Sequence, residues 1–188
     1  MTDQTPPTEA PPTGSVRAPS LLLVNTGDGK GKSTAAFGTA IRAVARGWDV
    51  AVIQFLKSGD WAVGEEKIGK ELGIDWWALG DGFTWDSESM EESEAVARAA
   101  WQHTREVVGR GKHRLVVLDE ITYPINWGWI ALDEAVEVLT SRPEPVSVIV
   151  TGRDAPSEIV EIADTVTEMR KVKHAYDRGV MARRGIDY

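Results

Sequence analysis

Residues 21–34 read LLLVNTGDGKGKST, an apolar run followed by a glycine-rich loop and the start of a segment of small residues. The apolar run predicts a strand and the small residues predict a helix, which is the context that a phosphate-binding loop requires. Glycines allow the backbone to wrap closely around phosphate oxygens, while loop amides and the helix N-terminus supply partial positive charge. We therefore predict a phosphate site here rather than an ordinary glycine-rich turn.

Within the loop, a full positive charge and a hydroxyl follow the last glycine. Lys32 is placed to reach phosphate oxygens, and the Ser33 hydroxyl is placed to ligate Mg²⁺. The consensus G-x-x-x-x-G-K-[ST] is incomplete, because Thr26 occupies its first glycine position. Asp28 is unusual beside phosphates, and we expect its carboxylate to point to solvent. The predicted nucleotide ligands of the loop are Thr26, Gly27, Asp28, Gly29, Lys30, Gly31, Lys32, Ser33 and Thr34.

The amino-acid composition and net charge of the chain exclude some classes of function. The chain has 188 residues, three histidines, no cysteine and a formal net charge of −8. Without cysteine there are no disulfides, thiolate nucleophiles or cysteine metal sites, which fits a reducing compartment. The acidic balance argues against nucleic-acid binding, so an anionic ligand must meet a local cluster of loop amides, Lys30, Lys32 and Lys57. We expect a soluble cytoplasmic protein without membrane contact, because no apolar stretch reaches the length of a span and no signal peptide opens the chain.

Proline content and hydrophobic patterning divide the chain into two parts. Residues 1–19 contain five prolines and almost no large apolar side chains, which predicts a flexible N-terminal arm. Over residues 20–188 strands alternate with helices. This order predicts one α/β domain of the three-layer P-loop NTPase-like (RecA-like) type, with a mainly parallel sheet and helices on both faces. Ligands bind beyond the carboxyl ends of such strands, so the loops that begin near residues 25, 55, 79, 119 and 151 should form the site.

A second nucleotide motif is predicted where an apolar strand ends in two carboxylates. Residues 115–120 read LVVLDE. In nucleotide enzymes the Asp of such a strand holds the Mg²⁺ shell, and the presence of Lys32 and Ser33 favours that role for Asp119 over a buried strand with a polar end. Glu120 has three open roles from the sequence alone: activating a water, orienting a substrate, or capping the following helix.

Three further candidates lie in loops at the same edge of the predicted sheet. Phe83 and Trp85 belong to a polar loop, where they either close the sheet edge or form an apolar wall beside a flat, bulky substrate. Arg153 follows a strand and either reaches a phosphate or the substrate, or forms a salt bridge with Asp154. Lys57 follows another strand and is a further candidate phosphate ligand.

Together these pieces resemble the P-loop family of ATP:corrinoid adenosyltransferases. The resemblance covers nearly everything after residue 20. It rests on residues 26–34 (TGDGKGKST), 52–57 (VIQFLK), 82–85 (GFTW), 118–123 (LDEITY), 151–156 (TGRDAP) and 172–179 (VKHAYDRG). The glycine loop is common to many nucleotide enzymes, whereas the aromatic loop and the 172–179 tail are far more specific. Departures are small: Asp28 stands where Asn is familiar, Ser33 where Thr is, and Ala175 where Pro is common.

The resemblance implies transfer of the 5′-deoxyadenosyl group of ATP to the Co(I) of a reduced corrinoid, with triphosphate as the leaving group. It also implies cytoplasmic homodimers, Mg²⁺ or Mn²⁺, and a reduced flavoprotein as electron donor. The catalytic residues would then be Lys32, Phe83, Trp85 and Glu120. Ser33 and Asp119 would hold the metal, and Phe83 and Trp85 would also bind the corrinoid. A phosphotransferase or NTPase is the first alternative, and a nucleotide switch or corrinoid carrier without turnover is the second.

Overall fold

The structure of the chain is a computed structural model, and it describes residues 14–57, 64–80 and 90–187. These residues contain a six-stranded, wholly parallel sheet. The strands are β1 (Leu22–Thr26), β2 (Val50–Gln54), β3 (Asp75–Ala78), β4 (Leu115–Asp119), β5 (Ser147–Thr151) and β6 (Thr165–Glu168). The helices are α1 (Lys32–Val44), α2 (Gly64–Glu71), α3 (Met90–Gly109), α4 (Thr122–Asn126), α5 (Leu132–Thr140), α6 (Ser157–Ile162) and a 3₁₀ helix (Ala175–Arg178).

Helices cover both faces of this sheet, as the sequence predicts. Strands β2, β4 and β5 are buried along their whole length, which explains why they read as continuous apolar runs rather than alternating ones. Successive strand residues contribute to opposite faces. Leu118 packs in the core on the side of α3, α5 and α6, and Val117 packs in the core on the side of α1. The predicted three-layer α/β architecture is therefore confirmed.

The strand order brings the two nucleotide motifs to the same edge. The order is β3-β2-β4-β5-β1-β6, so β5 lies between the strand that leads into the glycine loop and the strand that ends in Asp119. In the register, Asn25 is opposite Thr151, and Gln54 is opposite Asp119. Because all the strands are parallel, their carboxyl ends meet at one edge, where ligands of such sheets bind.

The structure adds elements that the sequence did not predict, mainly α4 and the 3₁₀ helix. Helix α4 is short and contains Pro124 and an aromatic residue, so its sequence lacks the periodicity of a longer helix. Residues 89–92 read SMEE, a capping-box spacing that predicts the start of α3 at Ser89, and this residue lies outside the described residues. Residues 14–19 of the predicted arm are exposed and belong to no helix or strand. Along residues 14–57, 64–80 and 90–187, no helix is both long and apolar enough to span a membrane.

Candidate functional site

The glycine loop joins β1 to α1 and is shaped by close contact with the segment after β6. Gly27 and Gly31 have φ angles of 91° and 116°, which favour glycine. The Gly29 amide donates a hydrogen bond to the Met169 carbonyl oxygen. A Cβ atom at Gly29 would lie 2.6 Å from that oxygen, and one at Gly27 would lie 2.7 Å from it. Side chains are therefore excluded from these positions by the neighbouring backbone as well as by the turn.

Lys32 begins α1 and folds its ammonium group back onto the loop. Its Nζ donates to the carbonyl oxygen of Gly27 at 2.7 Å and to that of Gly29 at 2.8 Å. Burial lowers the pKa of Lys32, and the positive charge of Arg153 lowers it further. The charge is thus concentrated over the backbone of the predicted phosphate loop.

The outer side of the loop carries two ion pairs. The Asp28 carboxylate is 75 % exposed and lies 4.0 Å from Nε of Arg153. It points to solvent, as expected, and the partner of Arg153 is Asp28 rather than Asp154. Lys30 pairs with Asp187 at 2.8 Å, and this hydrogen bond holds the pKa of the Asp187 carboxyl below its usual value. Lys30 is therefore directed toward the C-terminal segment of the chain.

Asp119 is fully buried at the end of β4, and both of its oxygens are hydrogen-bonded. Thr151 Oγ1 donates to Oδ1 at 2.8 Å, and Gln54 Nε2 donates to Oδ2 at 2.9 Å. Lys57 Nζ lies 3.7 Å from Oδ2 and is the nearby positive charge. A buried carboxylate is costly unless it is paired and hydrogen-bonded, and these partners satisfy that requirement.

Glu120 follows Asp119 with a φ of 64°, a conformation that is uncommon for residues other than glycine. Its amide donates to Thr151 Oγ1 at 2.9 Å, so one hydroxyl holds both carboxylate residues in place. Burial raises the pKa of Glu120 to about 7, and the negative charge of Asp119 raises it as well, against the positive charges of Lys57 and Lys32. The carboxyl of Glu120 is therefore able to be neutral near physiological pH.

The loop after β5 is fixed against α4. Gly152 has a φ of 145°, and a Cβ atom there would lie 1.9 Å from Thr122 Oγ1. The same hydroxyl donates to the Arg153 carbonyl oxygen at 2.7 Å, and Asn126 donates to the Asp154 carbonyl oxygen at 2.9 Å. These contacts set the direction in which Arg153 leaves the sheet.

The structure brings together most of the residues that the sequence singles out. Lys32, Lys57, Asp119, Glu120 and Arg153 interact electrostatically at the carboxyl ends of the strands. Ser33 and Thr34 lie in the first turn of α1, where Ser33 is partly buried and Thr34 is exposed. Phe83 and Trp85 lie outside the described residues.

Sequence reasoning missed three residues of this site: Gln54, Thr151 and Met169. Gln54 and Thr151 are polar residues at the carboxyl ends of buried strands, and this position in the sequence could have identified them as site residues. Met169 touches the loop through its backbone oxygen, so its residue type carried no signal.

Two oxygen donors at this edge are of the type that holds a magnesium ion together with phosphates. Within the part of the chain that the structure describes, no three His, Cys, Asp or Glu residues form a cluster that could hold a metal by themselves. Mg²⁺ is usually held by one or two carboxylates together with substrate phosphates and water. The Ser33 hydroxyl and the Asp119 carboxylate supply hard oxygen donors of this kind.

Comparisons with known proteins agree with this geometry. Residues 19–188 match the family model described as ATP:corrinoid adenosyltransferase BtuR/CobO/CobP. The corrinoid adenosyltransferase of Escherichia coli (strain K12) is 45% identical over 168 residues, which cover 89% of this chain and 85% of that protein. Corrinoid adenosyltransferase CobA of Salmonella typhimurium is 44% identical with the same coverage. The corrinoid adenosyltransferase of Pseudomonas aeruginosa is 39% identical over 170 residues, covering 89% of this chain and 83% of that protein. The chain therefore belongs to the ATP:corrinoid adenosyltransferase family and is a transferase that moves an adenosyl group from ATP to a corrinoid.

Proposed function

We propose that the loop at residues 26–34 and Lys32 bind the triphosphate of ATP and that Co(I) of a reduced corrinoid attacks the ribose C5′ atom. The Co–C bond forms with the electron pair of cobalt, and the C5′–O bond breaks. Its electron pair leaves with triphosphate. The observation that carries this proposal is the gathering of Lys32, Lys57 and Arg153 with Asp119 and Glu120 where β1, β2, β4 and β5 end. Such a transfer would serve the biosynthesis or salvage of adenosylated corrinoids.

The reaction needs no protein nucleophile, because Co(I) is itself strongly nucleophilic and the substrate carries the difficult chemistry. The chain accordingly needs no cysteine and few histidines. What it must supply is stabilisation of the charge that develops on the departing triphosphate. Fixed loop amides and the Lys32 ammonium act on such charge without reorganising during the reaction. Lys57 and Arg153 extend the positive potential along the same edge.

We assign Ser33 and Asp119 to a magnesium or manganese site shared with the triphosphate. When bound, the ion would neutralise part of the phosphate charge as a Lewis acid. Asp119 is completely enclosed, so we expect it to act through a metal-bound water or to come into contact only as the loop adjusts to ATP.

We assign Glu120 to substrate orientation. Because Co(I) is itself the nucleophile, the transfer needs no general base, and a carboxyl whose pKa is about 7 can donate a hydrogen bond in its neutral form.

The corrinoid side of the site is assigned to Phe83 and Trp85. An apolar wall against the lower axial face would exclude both water and the lower ligand of cobalt, which makes Co(II) easier to reduce to Co(I). We further propose a reduced flavoprotein as electron donor, a homodimer as the working form and the cytoplasm as the location. We also propose that residues 1–19 form an N-terminal arm outside the catalytic domain, which spans residues 20–188.

An anaerobic assay tests the proposal directly. The protein is mixed with ATP, Mg²⁺ and chemically reduced cob(I)alamin, the Co–C product is followed by absorbance, and phosphate products are separated by chromatography. A Co–C bond formed together with triphosphate supports adenosyl transfer at this site. ADP and phosphate without a Co–C bond would indicate a phosphotransferase or NTPase instead. Binding of both substrates without turnover would indicate a switch or carrier.

A further inference from the structure

The buried carboxylate of Asp119 is held on one side by an amide whose orientation can be assigned. Gln54 is 1 % exposed, and its Nε2 donates to Asp119 Oδ2 at 2.9 Å. A glutamine amide has a donating and an accepting end, and the two ends are similar in shape. If the amide turned over, its oxygen would face the carboxylate and the contact would become repulsive.

Trp76 fixes this orientation. Its indole Nε1 donates to Gln54 Oε1 at 2.9 Å. An indole N–H can only donate, so the Gln54 atom facing it must be the oxygen, and the nitrogen must face Asp119. The hydrogen bonds thus run in one direction across three neighbouring strands, from β3 through β2 to β4.

The indole itself lies between helices α1 and α2, beside a cavity of about 400 Å³. Its ring centroid lies 5.0 Å from that of Phe37 on α1. A Cβ atom at Gly69 on α2 would lie 2.7 Å from Trp76 Cε3, so the absence of a side chain at this position allows the indole to lie close to α2. The indole is 8 % exposed and is confined between the two helices.

We propose that Trp76 and Gln54 are positioning residues that orient the Asp119 carboxylate toward the metal–triphosphate complex. This inference rests on the proposed function, because it requires Asp119 to act on a metal ion bound with ATP. Thr151 fixes one oxygen of Asp119 from β5, and Gln54 fixes the other from β2. Loss of the indole N–H would free the Gln54 amide to rotate, although Trp76 itself does not contact Asp119.

The test measures ATP affinity by calorimetry, with Mg²⁺ and with chelator, in the full-length protein. Trp76→Phe removes the donor and keeps an aromatic ring, whereas Gln54→Leu removes the amide at similar size. Trp101→Phe is a matched control, because Trp101, like Trp76, is a buried tryptophan whose Nε1 donates to a side-chain oxygen, here that of Glu134 at 3.1 Å. Thermal unfolding reports whether each variant folds. If Trp76→Phe does not fold, Gln54→Leu still tests whether the Gln54 amide orients Asp119.

In the wild type we expect Mg²⁺ to strengthen ATP binding, and in Asp119→Asn we expect that gain to be lost. Gln54→Leu should reduce the gain by about tenfold or more, as loss of an outer-shell partner of a metal ligand does. Trp76→Phe should also reduce the gain in ATP affinity that Mg²⁺ causes, but by a smaller factor than Gln54→Leu. Its ATP affinity without Mg²⁺ should be unchanged. The effect of Trp76→Phe should disappear in the Gln54→Leu background, because the indole acts only through the amide. Trp101→Phe should behave as wild type.

Three other outcomes separate the inference from the proposed function. If Asp119→Asn loses the Mg²⁺ effect while Trp76→Phe and Gln54→Leu keep it, the inference is overturned and the metal role of Asp119 stands. The same conclusion follows if Trp76→Phe weakens ATP binding equally with and without Mg²⁺, since that result marks a purely structural role. If Asp119→Asn responds to Mg²⁺ as the wild type does, the proposed metal role and the inference both fail.

Discussion

Lys30 Nζ lies 2.8 Å from a carboxylate oxygen of Asp187, so an ion pair ties the predicted phosphate loop to the C-terminal segment. The same carboxylate accepts a hydrogen bond from the Arg183 amide at 2.8 Å, which closes residues 183–187 into a turn. One side chain therefore stabilises the turn and also holds it against the loop.

Loss of this pair should loosen the C-terminal segment. In Asp187→Asn we expect faster amide hydrogen exchange over residues 183–187, because the charge attraction to Lys30 is lost and the contact with the Arg183 amide is weakened. Exchange measured by mass spectrometry checks this. Asp177→Asn is the matched control, since it breaks another exposed pair, Lys171–Asp177 at 3.2 Å, in the same part of the chain. Equal exchange over residues 183–187 in wild type and Asp187→Asn would contradict the expectation.

Lys32→Ala should lose catalysis. Removing one fixed donor to a developing negative charge typically costs about 3–4 kcal/mol of barrier, and Lys32 adds a full charge. The rate at saturating ATP is the measurement, and a near-normal rate would show that Lys32 does not stabilise the leaving triphosphate. Lys67→Ala, at an exposed lysine of α2, is the control and should leave the rate unchanged.

Glu120 should make stability fall as pH rises. Its folded-state pKa of about 7 lies above its ordinary value of 4.5, so the folded chain binds more protons than the unfolded chain between these values. The stabilisation is complete below pH 4.5 and is lost as pH rises through 7. In Glu120→Gln this dependence should disappear, with a gain over wild type on the order of 3 kcal/mol at pH 8 and little difference at pH 4.5. Urea unfolding at both pH values checks the sign, and a wild-type advantage at pH 8 would contradict it.

Gly152→Ala should destabilise the chain. The new Cβ atom would lie 1.9 Å from Thr122 Oγ1 in a backbone conformation with φ of 145°. Backbone strain of this kind costs about 1–3 kcal/mol before the clash is added. Gly38→Ala is the opposite control, because nothing lies within 4 Å of its added Cβ in α1. That variant should gain about 0.5–1 kcal/mol from helix propensity. Thermal unfolding measures the stability of both variants. A Gly152→Ala protein as stable as the wild type would contradict the prediction.

Phe83→Ala and Trp85→Ala should separate reduction of cobalt from adenosyl transfer. We expect both variants to fail mainly when Co(II) and a reduced flavoprotein supply the corrinoid, and less when Co(I) is prepared chemically. The reason is that an apolar wall assists removal of the lower axial ligand before reduction. Parallel assays with the two cobalt states provide the measurement. Equal loss in both would mean that the aromatic residues only hold structure or bind the corrinoid ring.

Local sequence patterns were sufficient to predict the glycine loop, the position of Asp119 at the end of a buried strand, and the parallel α/β sheet. The loop has its own spacing of glycines and Lys32, and β4 has a continuous apolar run that ends in Asp119. The contacts of Gln54 and Trp76 with the site depend on the register of neighbouring strands. Gln54 lies opposite Asp119, and Trp76 lies opposite Val52, two residues before Gln54. Such pairings join distant parts of the chain, so no local window contains them. The left-handed conformation of Glu120 likewise depends on a hydroxyl from β5.

The position of β5 also determines when the site can form during synthesis. Strand β5 lies between β1 and β4, but residues 147–151 follow both of them along the chain. A nascent chain that ends before Ser147 therefore contains the glycine loop and Asp119 without the strand that joins them, and it also lacks the Thr151 hydroxyl. Until that strand emerges from the ribosome, β1 and β4 expose unpaired edges, which are prone to association with other chains. The candidate site can therefore be completed only after β5 has been synthesised and has entered the middle of the sheet.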